Sequence, residues 1–355
     1  MNVLRWVRRV MGRSGRCGGA GGCGVPDGRP RRRFAGGRIR AVPLCGAHRP
    51  QLPVSPGFLP RRVRRTDVTE PARKPLLPTV FDPRPDIRLI VADMDGTLLD
   101  DDNLLHDHFW PLIEELHSRG ILFCPASGRQ YFTLLREFAD IADDVVFIAE
   151  NGTYVVYQGR EVSSDCLLLV DARAMISTVR HSAAAGMDVG AVLCGKRSAY
   201  IDRTDQRFLD NVEPYLAQLM AVEDLLAVSD DEILKVSVFD FGNAESGIAP
   251  ALSDFEGSHR VTVGSSHWVD ITTRTANKGH AIGQLQESFG ISPDQTMVFG
   301  DYLNDLEMMD AATYSFAMDN AHPLLRERAR YVAPPNSENG VIRTISAVLG
   351  LPWSG

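Results

Sequence analysis

Asp93 and Asp95 stand two residues apart with Gly96 beside them, at the end of an apolar run over 87–92. If the chain leaves that run in a loop, the two carboxylates share one site, and Gly96 permits the backbone angles such a loop needs. One aspartate can then attack phosphorus and form an aspartyl-phosphate. The other can protonate the leaving alcohol and later take a proton from the attacking water. A surface turn rich in Asp and Gly is the plain alternative. A calcium loop fits poorly, because the regular series of oxygen ligands closed by a Glu is missing. A second acidic motif, Gly300-Asp301-Tyr302-Leu303-Asn304-Asp305, ends another apolar run. Asp301 is placed to give a carboxylate to a hard cation, with Asp305 in support. Three aspartates near a phosphate repel it and each other, so a divalent cation is required. Mg2+ suits a site of one or two carboxylates, a phosphate oxygen and retained waters.

Two further motifs could handle the phosphate. In Ser127-Gly128-Arg129, a hydroxyl and the N–H groups at a following helix start can hold a phosphate oxygen. Taken alone, Ser127 reads equally as an ordinary helix N-cap. In Asn277-Lys278-Gly279, an ammonium at a helix start can neutralise phosphate charge and steady the nucleophilic carboxylate. A solvated surface lysine is its plain reading.

These residues need a scaffold. Segments 87–92, 121–126 and 296–300 are short apolar runs that stop before Asp93, at Ser127 and before Asp301. Helical patterns follow over 108–118, 131–139 and 305–311. The alternation predicts an α/β fold, a doubly wound, parallel, Rossmann-like sheet covered on both faces. Ligands in such sheets bind beyond the carboxyl ends of the strands, where the three polar ends converge. The middle reads as an α+β module. It has helices over 172–185, 206–220 and 244–255, strands over 188–194, 198–203 and 233–241, and a closing hairpin over 259–264 and 267–273. The module is expected at 171–265, inserted between core halves 81–170 and 266–355.

Charge divides the chain again. The net charge is −7, yet residues 1–80 carry 18 Lys and Arg against 3 Asp and Glu, and the remainder carries 20 against 42. The first eighty residues also hold 12 of the 31 Gly and 10 of the 21 Pro. They lack a sustained apolar period and are expected to be disordered. A transit peptide, a basic arm for an anionic surface, and an over-extended start site all fit that composition; the last is preferred. No signal-peptide core follows the early arginines. No run approaches the roughly 18 apolar residues of a spanning helix, which excludes an integral membrane protein. The six cysteines show no disulfide framework or zinc spacing. Cys124, Cys166 and Cys194 read as small buried hydrophobes. A reducing, cytoplasmic setting is expected.

Taken jointly, the motifs resemble the haloacid dehalogenase superfamily of phosphotransferases, and more narrowly its Cof-type branch, subclass IIB. The resemblance rests on the segments around Asp93, Ser127 and Glu150-Asn151-Gly152, on Asp270-Ile271 and Asn277-Lys278-Gly279, and on Gly300 through Met309. Ala317-Met318-Asp319-Asn320 and Glu338-Asn339-Gly340 complete it, so that it spans roughly 85–348. Met94 stands where Leu is common, and Tyr302-Leu303 where Gly or polar residues are common; neither supplies a catalytic side chain. The resemblance implies a magnesium-dependent phosphomonoesterase acting on small phosphorylated metabolites, such as sugar phosphates or a vitamin-derived phosphate. It implies Asp93 as nucleophile and metal ligand, and Asp95 as general acid/base with its backbone carbonyl on the metal. Lys278 is then the catalytic lysine, and Asp301 and Asp305 complete the metal set. Ser127, Gly128, Arg129 and Asn304 would bind substrate.

The inserted module would be a C2-type cap that excludes water and meets the leaving group. Lys196, Arg197, Arg203 and Asp205 are its candidate specificity residues, each reading equally as a solvated polar group. His106 and His108 form a conceivable metal pair but read better as helix-start residues. Asn151 either faces the site or makes an ordinary Asn-Gly turn. A sugar phosphomutase, a non-catalytic phospho-ligand sensor and a nucleic-acid binder working through the tail are the alternatives. The folded part is not expected to bind nucleic acid or membrane, and oligomeric state stays open.

Overall fold

Leu89–Asp93 (β1) is five consecutive buried residues, the pattern of a strand covered on both faces. The computed structural model describes residues 81–352; the basic tail and residues 353–355 lie outside the described residues. From β1 the chain passes a tight turn at Met94–Leu98 and runs through α1 (Phe109–Ser118), β2 (Leu122–Ala126), α2 (Tyr131–Glu137), β3 (Val146–Ala149), β4 (Tyr154–Tyr157) and β5 (Arg160–Ser164). A second unit follows, with α3 (Leu169–Ala184), β6 (Val189–Gly195), β7 (Ala199–Ile201), α4 (Gln206–Val212), β8 (Leu219–Ala221), β9 (Ile233–Asp240), α5 (Ile248–Leu252), β10 (His259–Val263) and β11 (Trp268–Thr273). The chain then returns through α6 (Lys278–Phe289), β12 (Thr296–Gly300), α7 (Leu306–Ala311), β13 (Tyr314–Met318), α8 (Pro323–Arg328), β14 (Tyr331–Ala333) and α9 (Gly340–Leu349).

The first sheet has eight strands in the order β14-β13-β12-β1-β2-β3-β4-β5. It is parallel from β14 to β3, and the β4–β5 hairpin closes one edge antiparallel. Helices pack onto it by their apolar stripes. In α1, Phe109, Leu112, Ile113 and Leu116 are buried at the spacing of one helix face. This is the expected α/β architecture.

The second sheet has six strands in the order β10-β11-β9-β6-β7-β8, antiparallel except where β7 meets β8. In β9, Val236 and Val238 join the apolar cluster that contains Met175, Ile176 and Val179 of α3. Lys235 and Ser237, alternating with them, leave by the opposite face.

Three expected boundaries shift. The module does not stop at 265, because β11 pairs with both β10 and β9, so the second sheet extends to Thr273. The helix expected over 206–220 ends at Val212, and a short turn, Glu213–Tyr215, carries Pro214. Proline cannot donate to the helical ladder, and the segment beyond it becomes β8 beside β7. The helix expected over 244–255 shortens to Ile248–Leu252, since Gly247 has a non-helical backbone and the Asp240 carboxylate accepts from the Ile248 N–H (3.0 Å). Among the described residues no helix is long and apolar enough to cross a membrane. Cys124, Cys166 and Cys194 are free, the first and last buried.

Candidate active site

Strand pairing brings the motifs together. Asp93 lies beside Ala126, so Ser127 follows one position later on the neighbouring strand. Ala92 pairs with Phe299, which sets Asp301 on the same rim. At the head of α6, Asn277 caps the helix by accepting from the His280 N–H (2.7 Å). That cap starts the helix at Lys278, whose side chain is fully buried.

Carboxylate oxygens of Asp93, Asp301 and Asp305 all lie within 4.8 Å of one another. Lys278 Nζ donates to Asp93 Oδ1 and to Asp305 Oδ1, the latter at 2.7 Å. Asp305 Oδ2 accepts from the N–H groups of Asp301 (3.1 Å) and Tyr302 (3.3 Å). Both oxygens of Asp305 are therefore engaged, and it braces the cluster. Thr97 Oγ1 donates to Asp301 Oδ1 (3.2 Å). Gly96 has φ +76°, and a side chain there would press on the Asp301 carboxylate; only glycine suits both demands.

The electrostatics follow from burial. Desolvation, and then the Asp305 carboxylate, push Asp93 well above the usual carboxylate range, against the pull of Lys278. Desolvation and Asp305 push Asp301 up to about 6, against Thr97 and Lys278. Burial alone would lower the Lys278 ammonium, but Asp305 and Asp93 outweigh it and it is raised. Two buried carboxylates, Asp93 and Asp305, and the half-buried Asp301 thus face one ammonium. Their donor set is all oxygen and carries excess negative charge, which fits a hard cation.

Asp95 differs from expectation. Its side chain is not in this cluster; both its oxygens accept from Arg129, through Nη2 and through Nε (3.2 Å). Arg129 Nη1 also donates to Glu137 Oε1 (2.5 Å). A cationic guanidinium draws Asp95 away from the crowded acids. Ser127 Oγ accepts from the Arg129 N–H (3.1 Å). Asn151 lies against Gly128, and Asn304 Nδ2 donates to its Oδ1 (3.3 Å). Asn151 thus sits in a tight turn, Glu150–Gly152, and lies against Gly128 and Asn304 at the same time.

The other candidates have local partners. Lys196 binds Glu161 (2.8 Å) and Glu232 (2.9 Å). The Arg197 N–H donates to Asp231. Arg203 pairs with Asp188 (2.7 Å) and Asp205 (2.5 Å), and Asp205 caps α4. His106 accepts from the His108 N–H (3.2 Å), a local turn. Sequence reasoning gave no role to Thr97, Gln130, Glu137 or Lys235. Thr97 stood inside the first motif; the partners of the others come from tertiary contacts that no spacing reveals.

The family model described as haloacid dehalogenase-like hydrolase matches residues 90–345. The chain belongs to the haloacid dehalogenase superfamily. Its fold is that of subclass IIB, and like its phosphatase relatives this haloacid dehalogenase-type chain is a phosphoric monoester hydrolase. It is 33% identical over 271 residues to the 5-amino-6-(5-phospho-D-ribitylamino)uracil phosphatase YbjI of Escherichia coli (strain K12), covering 74% of this chain and 96% of the relative. A phosphatase of the same name, YcsE of Bacillus subtilis (strain 168), is 26% identical, with coverage of 73% and 95%. Among solved structures, a protein from Streptococcus mutans UA159 superposes with a TM-score of 0.65 at 25% identity, covering 74% of this chain and 99% of that one. A subclass IIB sugar phosphatase superposes with a TM-score of 0.62 at 20% identity, with coverage of 74% and 99%.

Proposed function

We propose that the chain is a Mg2+-dependent phosphatase of small phosphorylated metabolites that works through an aspartyl-phosphate on Asp93. The observation that carries this reading is the cluster of Asp93 and Asp305, both buried, with the half-buried Asp301, set against a single counter-charge among the described residues, Lys278. Asp93 and Asp301 would hold the cation, with Asp95 giving its backbone carbonyl and Asp305 bracing the set. Bound there, Mg2+ supplies charge neutralisation and orientation of the phosphoryl oxygens.

Asp93 attacks phosphorus, and the bond to the leaving oxygen breaks. Lys278 aims Asp93 and favours its ionised form, and a cation bound beside it would add to that bias. Asp95 gives its proton to the leaving alcohol, then takes one from the water that cleaves the aspartyl-phosphate and releases inorganic phosphate. Ser127, Gly128 and Arg129 hold the phosphoryl oxygens, and Asn304 meets the substrate from the rim. In the free protein Arg129 clasps Asp95; an arriving phosphate competes for that guanidinium and frees the carboxyl group. The second unit supplies the cap. Isolated, buried cysteines suit a cytoplasmic setting.

The names of two relatives make 5-amino-6-(5-phospho-D-ribitylamino)uracil the first substrate to test, with sugar phosphates as the wider class. The experiment is a phosphate-release panel over both, run with Mg2+ and with EDTA, with isomer formation from glucose phosphates followed alongside. Mg2+-dependent release of phosphate from at least one ester is expected. Turnover that survives EDTA, or isomer formation without phosphate release, overturns the reading.

A further inference from the structure

The loop after β2 is held by all three of its carbonyl groups. Ser127 O accepts from the Asn151 N–H (2.9 Å), and Arg129 O from the Glu150 N–H (3.0 Å). Between them, Gly128 O accepts from Lys235 Nζ at 3.5 Å, the long limit of a hydrogen bond. A trans peptide sets each N–H opposite its carbonyl. Fixing these three carbonyls therefore also fixes the direction of the N–H groups of Gly128, Arg129 and Gln130, of which that of Arg129 donates to Ser127 Oγ (3.1 Å) and so holds the hydroxyl in place.

The residues that do the fixing are themselves under tension. Glu150, Asn151 and Gly152 have successive φ values of +52°, +57° and +97°. For the two that are not glycine, the left-handed region costs about 1–2 kcal/mol per residue. Such a turn persists only where its surroundings over-determine it. The surroundings here are ionic. The Glu150 side chain is 1% exposed and forms an ion pair with Lys235 Nζ at 2.7 Å, and neither of its oxygens has a partner in hydrogen-bond geometry. Lys235 also meets Asp270 Oδ2 at 3.2 Å, and Ser237 Oγ donates to Asp270 Oδ1 at 2.6 Å. Glu150 belongs to the first unit; Lys235, Ser237 and Asp270 belong to the second sheet. The contact that secures the middle carbonyl thus crosses between units, and it is the longest of the three.

We propose that Lys235 is a positioning residue for phosphoryl transfer: seated between Glu150 and Asp270, it fixes the 127–129 loop from the second unit, so that the loop's donors are aimed only while that unit is docked. The inference rests on the phosphatase reading and adds a device by which docking of the second unit completes the phosphate site. A purely structural ion pair would change stability without changing how the loop presents its donors.

The test uses the full chain as wild type, Lys235→Arg, Lys235→Met and the double variant Glu150→Gln/Lys235→Met. Removing only the lysine strands a buried carboxylate, and the double variant relieves that penalty. Hydrolysis of p-nitrophenyl phosphate is measured with Mg2+, and amide hydrogen exchange is followed over 127–130 with and without inorganic phosphate. In Lys235→Met and in the double variant, kcat is expected to fall on the order of 10²-fold, the cost of a small misplacement of reacting groups. Exchange over 127–130 should quicken in both, and Lys235→Arg should recover most of the lost rate. The inference is overturned if the double variant keeps kcat within about threefold of wild type, or if its loop exchange is unchanged. Should Lys235→Met not fold, the double variant decides. A wild type that turns over no ester overturns the phosphatase reading alone, and loop exchange then decides the role of Lys235.

Discussion

Asp93 and Asp305, both buried, and the half-buried Asp301 bring three carboxylates to one point, with only Lys278 against them among the described residues. Two like charges about 4 Å apart repel by roughly 4 kcal/mol at the effective dielectric near a protein surface, so the cluster calls for a proton or a cation. Asp93→Asn removes the proposed nucleophile and one of the repelling charges together. Turnover should fall at least about 10³-fold, while the metal-free variant melts at or above the wild-type temperature; turnover near the wild-type rate would remove Asp93 from its role. A pH dependence follows as well. Asp301, pushed up to about 6, holds its proton more tightly when folded than when unfolded, where the value is about 3.9. Its contribution to stability is present below the unfolded value and is lost as pH rises through the folded one. Asp93 shifts in the same direction. The metal-free protein should therefore melt at lower temperature at about pH 7.5 than at about pH 5. Mg2+ affinity, competing with the same protons, should rise over that range. Melting curves and titration calorimetry at the two values check both signs. The acidic residues of this cluster were legible in the sequence because they end apolar strands; the Arg129 clasp on Asp95 was not, because a side chain 34 residues away makes it.

At the scale of elements, α2 is tied to the second unit at its first turn. Gln130 Nε2 donates to Gln218 O and Gln130 Oε1 accepts from the Gln218 N–H, both at 2.9 Å. Thr133 Oγ1 donates to Tyr215 O (3.1 Å) and accepts from the Ala217 N–H (3.3 Å). A segment that the apolar pattern had assigned to a long helix is instead opened by Pro214 and offers its backbone to α2. Gln130 directly follows Arg129, so this clasp acts close to the phosphate loop. Gln130→Ala removes both of its bonds and strands the backbone groups of Gln218. Amide exchange over 215–218 should quicken, and kcat/KM should fall about tenfold, near the 1.4 kcal/mol expected for one lost net hydrogen bond. Unchanged exchange over 215–218 would show that the clasp does not hold the units together. Three adjoining strands of the first sheet, β1, β2 and β12, were readable from their apolar runs, whereas β8 was hidden, since three residues paired at a sheet edge carry no period.

Across the whole molecule the apolar residues fall into separate clusters, one under the first sheet and two in the second unit. The side-chain contacts between the units described above are polar, Gln130 with Gln218, Lys196 with Glu161 and Lys235 with Glu150, and so is a further one, Arg260 with Glu307 (2.9 Å). The exposed Arg260–Glu307 pair contributes little net stability, about 0–1 kcal/mol, whereas Lys235–Glu150 is buried, so parting the units costs chiefly that buried pair and leaves each apolar cluster whole. A cation at the acidic cluster should then stabilise the first unit more than the second. Mg2+ at 100 times its Kd should add about 2.7 kcal/mol, read as a higher melting temperature than in EDTA. Added amide protection should concentrate over 89–98 and 296–306; equal protection of both sheets would contradict independent cores.

The order of apolar runs, their polar ends and the glycine after the paired aspartates were enough to determine a parallel α/β sheet with an inserted module and acidic motifs gathered at one rim. These features are local, because strand burial and loop geometry leave a period and a residue type in the chain. Only the tertiary structure decided that Asp305 braces rather than offers a free oxygen, that Arg129 clasps Asp95, and that Lys235 reaches the phosphate loop from another sheet. Each depends on charges far apart in sequence meeting at low dielectric, where the partner, and not the residue type, sets what a side chain does.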